Sequence, residues 1–219
     1  TGNVVTAPAY GGTITGVLKL DWQWQFDTYT AGIAHIPVGG VVEKLGTLKW
    51  AMNRDEYHFQ GGYMMPIHVI AGSLAESWEM ADPLTYVFHI RKGVHWHNKA
   101  PMNGREFIAD DAVFNFHRML GMGSGFTEPS TGIGELGKPQ WESITATDRY
   151  TVAFELKQPY LRAVNVITDW YTMLIYPPEV IKEHGNMDDW RNLVGTGPFM
   201  LTDIVQGSSR TYTKNPDYW

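Results

Sequence analysis

The sequence predicts a mixed α/β fold in which antiparallel sheet dominates. Segments whose apolar residues alternate with polar ones, as in half-buried strands, outnumber segments with helical periodicity. Most neighbouring strand segments are separated by short turns, which favours hairpins over the long crossovers that parallel strands need. With 219 residues, of which 43% are hydrophobic, the chain is long enough to bury a substantial core in one large domain or two small ones.

The N-terminal quarter of the chain contains the weakest signals. Residues 12–20 predict a strand because apolar and polar residues alternate along them. Residues 26–40 are rich in turn-forming residues and indicate a loop that leaves the end of this strand. Residues 41–50 have a weak helical pattern, and residues 52–66 are irregular, with a turn predicted at Gly61-Gly62.

The clearest strand and the clearest helix lie in the middle of the chain. Residues 84–91 alternate strictly, which predicts a half-buried strand followed by a turn at Gly93. Residues 107–120 have the period of an amphipathic helix, which Gly121 is expected to end, and residues 121–139 read as a long Gly-rich loop. The apolar stripe of the helix is predicted to contain Ala109, Val113, Phe116 and Leu120.

The last third of the chain predicts a strand, a short helix and a hairpin. Residues 150–156 alternate as a strand does. A short helix is expected to begin at Pro178, because proline suits the first helical position, and to end at Gly185. Residues 195–205 enter a strand through a Gly-Pro turn, and residues 209–215 read as its antiparallel partner.

Charge and cysteine content exclude several classes of function. The net charge of −6, without long runs of one sign, gives no attraction to nucleic acid or anionic lipid. The absence of cysteine excludes disulfides, thiolate nucleophiles and cysteine-ligated metals. No apolar run approaches the roughly 18 residues that span a bilayer. The start of the chain is compatible with a leader already removed, and its end has no terminating signal, so we expect a piece of a longer protein.

Two histidines form the pattern that most directly indicates a metal site. His95 and His97 would project to one face of a strand, as a zinc or copper pair requires, and His89 is nearby in sequence. No further ligand stands at an obvious completing spacing, although structural sites need three or four ligands. An ordinary polar strand end is therefore favoured, and a metal-binding protein or metalloenzyme is the alternative.

The remaining motifs favour binding over catalysis. Asp110-Asp111 suits the first turn of a helix better than paired chemistry, because adjacent helical residues point about 100° apart. Ser124 lacks the turn context of a nucleophile, and no Lys-Ser/Thr follows the glycines of residues 195–198 as in a phosphate loop. An excess of aromatic residues offers either core or a stacking wall for an organic ligand, with candidates Trp22, Trp24, Trp170 and Tyr171.

Four ordered blocks of the sequence resemble one protein family. The stretch "LAESWE…LTYVFHIRKGVHWHN…FIADDAVFNFHRML" in residues 74–120 closely resembles the signature region of the family 5 extracellular solute-binding proteins of ABC importers. Residues 144–160 are similar to that family's Asp-x-x-Thr-Val strand, and residues 194–219 to its Gly-Thr-Gly-Pro-Tyr hairpin and Asn-x-x-Tyr-Trp motif. Residues 11–27 occupy the place of its first strand.

The resemblance implies a class II periplasmic-binding-protein fold, in which two lobes close on a solute. Residues 1–35 and 161–219 would then form the ligand-contacting subdomain of the first lobe, and residues 36–160 its accessory subdomain. The second lobe would be absent from this chain. Contacts with the solute are expected from six residues, namely Thr30, Gly32, His35, Phe126, Trp170 and Tyr171.

The function implied by the resemblance is capture of a peptide or similar small solute and its delivery to a membrane permease. No catalysis, cofactor, metal or nucleic-acid partner is expected. The expected location is the periplasm or the outer face of the cytoplasmic membrane, where a lipid anchor is compatible with the sequence. The alternatives are a metal-binding protein or metalloenzyme that uses His95 and His97, and a carbohydrate-binding module built on surface tryptophans.

Overall fold

A computed structural model describes residues 11–16, 25–31, 38–59, 65–131, 133 and 140–219. Within these ranges, strands and helices combine in a mixed α/β arrangement, and every strand pair is antiparallel, as the sequence predicts. None of the helices in the described ranges has the length and apolar content that crossing a membrane requires.

The elements are numbered in chain order. The strands are β1 Gly46–Leu48, β2 Ile70–Gly72, β3 Ala75–Asp82, β4 Thr85–Ile90, β5 Trp141–Asp148, β6 Thr151–Leu156, β7 Phe199–Val205 and β8 Ser209–Lys214. The α-helices are α1 Ala109–Leu120, α2 Ala163–Thr168 and α3 Pro178–His184, and two short 3₁₀ helices lie at Ile67–Val69 and Trp190–Asn192. The sheets are β1-β2, β3-β4-β6-β5 and β7-β8.

The four-stranded sheet carries the centre of the core on one face. Phe154 of β6 lies at the middle of an aromatic cluster, with its ring centroid 5.3 Å from that of Phe88 and 5.9 Å from that of Trp141. Phe116 of α1 packs edge-on against Phe154 at 4.9 Å, a favourable arrangement of two rings. Helix α1 therefore packs on the face of the sheet to which the buried strand residues point.

The predictions for β4, β6, α3 and the β7-β8 hairpin are confirmed. In β4, Phe88 and Ile90 are buried with the half-buried His89 between them, which is the predicted alternation, whereas the first half of the predicted inward face is half-buried at Tyr86 and exposed at Leu84. The short helix begins at Pro178 and its C-cap is Gly185, as expected. Strands β3 and β5 and helix α2 were not predicted.

Helix α1 begins two residues later than predicted. Ile108 is extended, and its backbone N–H donates to the Asp111 carboxylate at 3.1 Å, which satisfies a donor at the helix start. The helix ends at Gly121, whose backbone is left-handed with φ 65°, a conformation that glycine adopts without steric penalty.

Two predictions for the N-terminal quarter are wrong in the described residues. Residues 13–16 form no strand, and Ile14 is 98% exposed, whereas residues 17–20 lie outside the described residues. Residues 41–50 are not helical but contain turns and strand β1, which pairs with β2. The predicted turn at Gly61-Gly62 also lies outside the described residues.

Candidate functional site

The 27–31 loop, made of Asp27–Ala31, is a turn whose shape is set by Asp27. The Asp27 carboxylate accepts the backbone N–H of Tyr29 at 2.9 Å. The Asp27 carbonyl accepts the Thr30 hydroxyl at 3.0 Å and the Ala31 N–H at 3.0 Å. Local hydrogen bonding of this kind by aspartate stabilises turns. The loop therefore holds Tyr29 and Thr30 in defined positions.

A buried ion pair connects this loop to helix α1. Asp27 is 0% exposed and Arg118 is 1% exposed. The guanidinium donates from Nη1 to Oδ1 at 3.0 Å and from Nη2 to Oδ2 at 2.6 Å, and the Met187 N–H donates to Oδ2 at 3.0 Å. Because a buried carboxylate requires charged or polar partners, these contacts compensate Asp27 and fix three chain segments together.

Tyr29 brings the predicted residue Phe126 to the same loop. The Tyr29 ring lies 4.6 Å from the guanidinium carbon of Arg118, within the range of a cation–π contact. Its hydroxyl donates to the carbonyl of Glu128 at 3.1 Å. The ring centroids of Tyr29 and Phe126 are 6.4 Å apart, and Phe126 also packs edge-on against Phe114 at 5.6 Å. An aromatic surface thus adjoins the loop.

Thr30 is exposed and is hydrogen-bonded to a carboxylate. Its hydroxyl lies 3.2 Å and 3.3 Å from the two carboxylate oxygens of Asp188. Partial burial, together with the negative charge of Asp27, raises the pKa of Asp188 above its ordinary value. Ion pairs between described residues do not include Asp188. The pair of side chains can offer hydrogen-bond acceptors to a polar ligand.

Trp170 and Tyr171 lie in the connection between α2 and α3, and their ring centroids are 5.6 Å apart. The next residue joins them to the 27–31 loop, because the carbonyl of Thr172 accepts the Thr28 hydroxyl at 2.7 Å. The Thr28 N–H donates to the Tyr176 hydroxyl at 3.1 Å. Complete burial raises the pKa of Tyr176 most, and the nearby negative charge of Asp27 raises it further, so the hydroxyl stays protonated.

The structure places two of the six predicted contact residues at this loop and two more in a segment that is hydrogen-bonded to it. Thr30 belongs to the loop and Phe126 adjoins it through Tyr29, whereas Trp170 and Tyr171 are joined to it through Thr172. The other two predicted contact residues and two aromatic candidates lie outside the described residues, namely Gly32, His35, Trp22 and Trp24.

Sequence reasoning missed four residues at this site. Tyr29 is adjacent to the predicted Thr30, so its aromatic character was the available signal. Asp27 and Arg118 are separated by 91 positions, and no local pattern links them. Asp188 is likewise connected to Thr30 across 158 positions. These pairings follow from the fold alone.

The alternative in which His95 and His97 form a metal pair on one strand face is not favoured by the structure. His95 is exposed, and its Nδ1 lies 3.0 Å from the Gly93 carbonyl oxygen. His97 is buried, and its Nε2 lies 2.9 Å from the Gly197 carbonyl oxygen while its Nδ1 accepts the Gly195 N–H at 3.2 Å. Both ring nitrogens of His97 are occupied. In the described part of the chain, no three metal-ligating side chains come together.

His97 is expected to make folding stability depend on pH. Since Nδ1 accepts a hydrogen bond, the proton lies on Nε2 and the ring is neutral. Burial lowers the pKa of His97 below its ordinary value of 6.5. The unfolded chain therefore takes up a proton before the folded chain does, so the stability present above pH 6.5 is lost as the pH falls below it.

Urea unfolding between pH 7.5 and pH 5.5 measures this effect of His97. We expect His97→Gln to have a smaller loss of stability over this pH range than the wild-type protein. His95→Gln, which changes an exposed histidine two positions away, is the matched control and is expected to keep the wild-type pH dependence. Equal pH dependence in His97→Gln and wild type would contradict the assignment.

The two adjacent aspartates of α1 have different roles. Asp110 is exposed in the first turn, as expected of a residue that complements the helix dipole. Asp111 is buried and accepts hydrogen bonds from Arg105 at 2.7 Å and 2.8 Å and from the Trp96 indole N–H at 3.2 Å. Arg105 also donates to Glu179 of α3, so Asp111 belongs to an ion-pair network between two helices.

Ser124 lies in a tight turn and is not a nucleophile elbow. Its backbone has φ 51°, and its Oγ lies 2.9 Å from Nδ1 of His117. Nε2 of His117 lies 2.9 Å from the carbonyl oxygen of Ile144. A neutral carbonyl takes the place that a carboxylate has in a catalytic triad, so the geometry anchors the turn to α1 and β5.

Comparisons with known proteins show what the chain is similar to. Residues 69–219 match the family model described as bacterial extracellular solute-binding proteins, family 5 Middle. The dipeptide-binding protein of Escherichia coli is 35% identical over 161 residues, which cover 69% of this chain and 30% of that protein. Di/tripeptide-binding protein 2 of Pseudomonas aeruginosa is 32% identical over 162 residues, covering 67% of this chain and 30% of that protein.

A solved structure supports the same relationship. A periplasmic binding protein associated with an ABC transporter from Helicobacter pylori, in complex with the peptide STSA, aligns with a TM-score of 0.66 and 26% identity. The alignment covers 87% of this chain and 36% of that one. The chain thus spans about a third of the length of the proteins it matches.

Proposed function

The chain belongs to the bacterial extracellular solute-binding proteins of family 5, and on this basis we propose that the whole protein is the binding component of an ABC importer. It captures a peptide or a similar small solute and delivers it to a membrane permease. The observation that carries the proposal is the family match over residues 69–219, together with relatives named for dipeptide and tripeptide binding.

The proposed mechanism is closure of two lobes on the solute. Residues 1–35 and 161–219 form the ligand-contacting subdomain of the first lobe, and residues 36–160 form its accessory subdomain. A solute favours the closed form only to the extent that it binds that form more tightly, because equal affinity for both forms shifts nothing. The permease then recognises the closed form.

The proposed solute contacts on this lobe are Thr30, Gly32, His35, Phe126, Trp170 and Tyr171. Support comes from the 27–31 loop, in which Tyr29 contacts Phe126 and Thr30 is hydrogen-bonded to Asp188. Hydrogen-bond acceptors beside aromatic rings suit a ligand with amide groups and apolar side chains. The proposal is one of non-covalent binding and release, in which the protein carries the solute without catalysis or a cofactor.

The proposed site of action is the periplasm or the outer face of the cytoplasmic membrane. The family is described as extracellular, and the Helicobacter pylori neighbour is described as periplasmic and associated with an ABC transporter. A lipid anchor near the start of the full-length protein is one way to keep it close to the permease.

A thermal-shift screen of the full-length protein tests the proposed function. We expect dipeptides, tripeptides or longer peptides to raise the melting temperature by about 2 °C at 100 times Kd, where binding adds about 2.7 kcal/mol and a protein of several hundred residues shifts by about 1 °C per kcal/mol. Mono- and oligosaccharides and the divalent ions Zn²⁺ and Cu²⁺ form the comparison set.

The same screen separates the proposal from its alternatives. A response to sugars alone would favour a carbohydrate-binding module. A response to metal alone that disappears in His95→Ala and His97→Ala would favour the metal-binding alternative. No response to any peptide would overturn the proposal.

A further inference from the structure

The buried pair of Asp27 and Arg118 lies directly behind the proposed contact loop. The Asp27 carboxylate accepts four hydrogen bonds, two from Arg118 and one each from the N–H groups of Tyr29 and Met187. The partners therefore belong to the loop itself, to helix α1 and to the turn that leads to Asp188. One carboxylate thus connects the loop with helix α1 and with the turn before Asp188.

Arg118 has a second contact with the same loop. Its guanidinium lies 4.6 Å from the centre of the Tyr29 ring, and that ring in turn lies beside Phe126. The planar guanidinium can make a two-pronged hydrogen bond at its edge and a cation–π contact at its face at the same time. Arg118 therefore sets the position of Asp27 and the orientation of Tyr29 together.

Stability alone is a weak reason for such a pair. Removing two charges from water is unfavourable, and replacement of buried ion pairs by apolar residues of similar volume is often neutral or stabilising. Buried charge pairs can instead specify one conformation among several. Here the specified element is a five-residue turn with an exposed threonine at its tip.

We propose that Arg118 is a positioning residue for solute binding, which holds the 27–31 loop in the shape that presents Thr30 to the ligand and keeps Tyr29 against Phe126. The proposal rests on the proposed function, since it concerns the same site. Arg118 acts through Asp27 and Tyr29 and does not itself touch the solute, because it is 1% exposed.

The test uses Arg118→Lys in the full-length protein. Lysine keeps the charge opposite Asp27 but loses the two-pronged geometry and the stacking on Tyr29. We expect peptide affinity, measured by calorimetry with the peptide selected in the thermal-shift screen, to fall by about 10- to 100-fold, as when groups that orient metal ligands are removed. Asp27→Asn is expected to weaken binding in the same direction and serves as the second variant.

Arg105→Lys is the matched control. Arg105 also makes two-pronged contacts with carboxylates, those of Asp111 and Glu179, but none of its hydrogen bonds reaches the 27–31 loop. We expect its affinity to stay within about threefold of wild type, a difference below 0.7 kcal/mol by the affinity relation. Affinity losses that are equal in Arg105→Lys and Arg118→Lys would overturn the proposal, and so would unchanged affinity in folded Arg118→Lys.

Hydrogen exchange provides a readout that does not need the ligand. The amides of Tyr29 and Met187 donate to Asp27, so their exchange is expected to accelerate in Arg118→Lys and not in Arg105→Lys. If the wild-type protein bound no peptide, the proposed function would be refuted, but hydrogen exchange would still test whether Arg118 positions the 27–31 loop. Uniform acceleration over the whole chain, or none at Tyr29 and Met187, would refute the positioning role.

Discussion

Replacement of Arg118 by methionine is expected to lower the free energy of unfolding by about 3–5 kcal/mol, the range found when one partner of a buried ion pair is removed. Methionine fills part of the volume but donates no hydrogen bond. Asp27 would remain 0% exposed with only the N–H groups of Tyr29 and Met187 as donors. Urea unfolding at pH 7 measures the loss.

Two further variants show whether the uncompensated charge is responsible for this loss. Asp27→Asn combined with Arg118→Met removes both charges and keeps an acceptor oxygen, so it is expected to be more stable than Arg118→Met alone. Arg149→Met breaks the pair with Glu106, in which Glu106 is half-buried but water screens the exposed guanidinium, and is expected to change stability little. A loss below about 1 kcal/mol in Arg118→Met would contradict the burial argument.

The elements that could be predicted from the sequence are those with an unbroken local period. Strand β6 keeps Val152, Phe154 and Leu156 on one buried face, which is a period of two. Helix α1 keeps Ala109 and Phe116 buried at helical spacing, and glycine ends it. In these segments the pattern of burial and the local backbone preference agree, so sequence alone is sufficient.

Strands β3 and β5 could not be predicted because their periods are interrupted. The pairing of β5 with β6 shifts register between Trp141 and Ser143, so the buried Trp141 and Ile144 are three positions apart. A register shift moves later side chains to the opposite face. Strand β3 also shifts register and is mostly exposed along its length, so its sequence has little apolar contrast.

The false helix at residues 41–50 has a related origin. Val41, Val42 and Leu45 are spaced as on a helix and are indeed buried. Their burial comes from distant chain, since the carbonyl of Val41 accepts the Gly197 N–H at 2.9 Å. The helical spacing therefore identified residues that are buried, but these residues lie in turns and not in a helix.

The contacts of the candidate site could be predicted even less from local sequence patterns. Thr30 is expected from the resemblance to family 5, whereas Asp188, which is hydrogen-bonded to it, lies 158 positions away, and Arg118 lies 91 positions from its partner Asp27. Arg118 lies in the last turn of α1, where a cation complements the helix dipole, so its sequence context is that of a surface residue. Only the fold shows that it is buried against Asp27.

Gly195→Ala is expected to destabilise the protein by about 3 kcal/mol or more, at the upper end of the range for overpacking. A Cβ at this position would overlap the carbonyl oxygen of Val41 and lie 2.6 Å from its carbonyl carbon. These are backbone atoms, and Val41 is held by its bond to Gly197, so rotation of a side chain cannot relieve the contact. The backbone of Gly195 is also held by His97, because the Gly195 carbonyl accepts the His97 N–H and the Gly195 N–H donates to Nδ1 of the His97 ring.

The control for this prediction is Gly16→Ala. An added Cβ at Gly16 meets no atom within 4 Å, and this residue is exposed, so the free energy of unfolding is expected to stay within about 0.5 kcal/mol of wild type. The Gly195 variant should also lose much of the pH dependence assigned to His97, because a displaced 195–197 segment no longer holds the neutral ring. A Gly195→Ala protein with wild-type stability and pH dependence would show that the close approach to Val41 is not required.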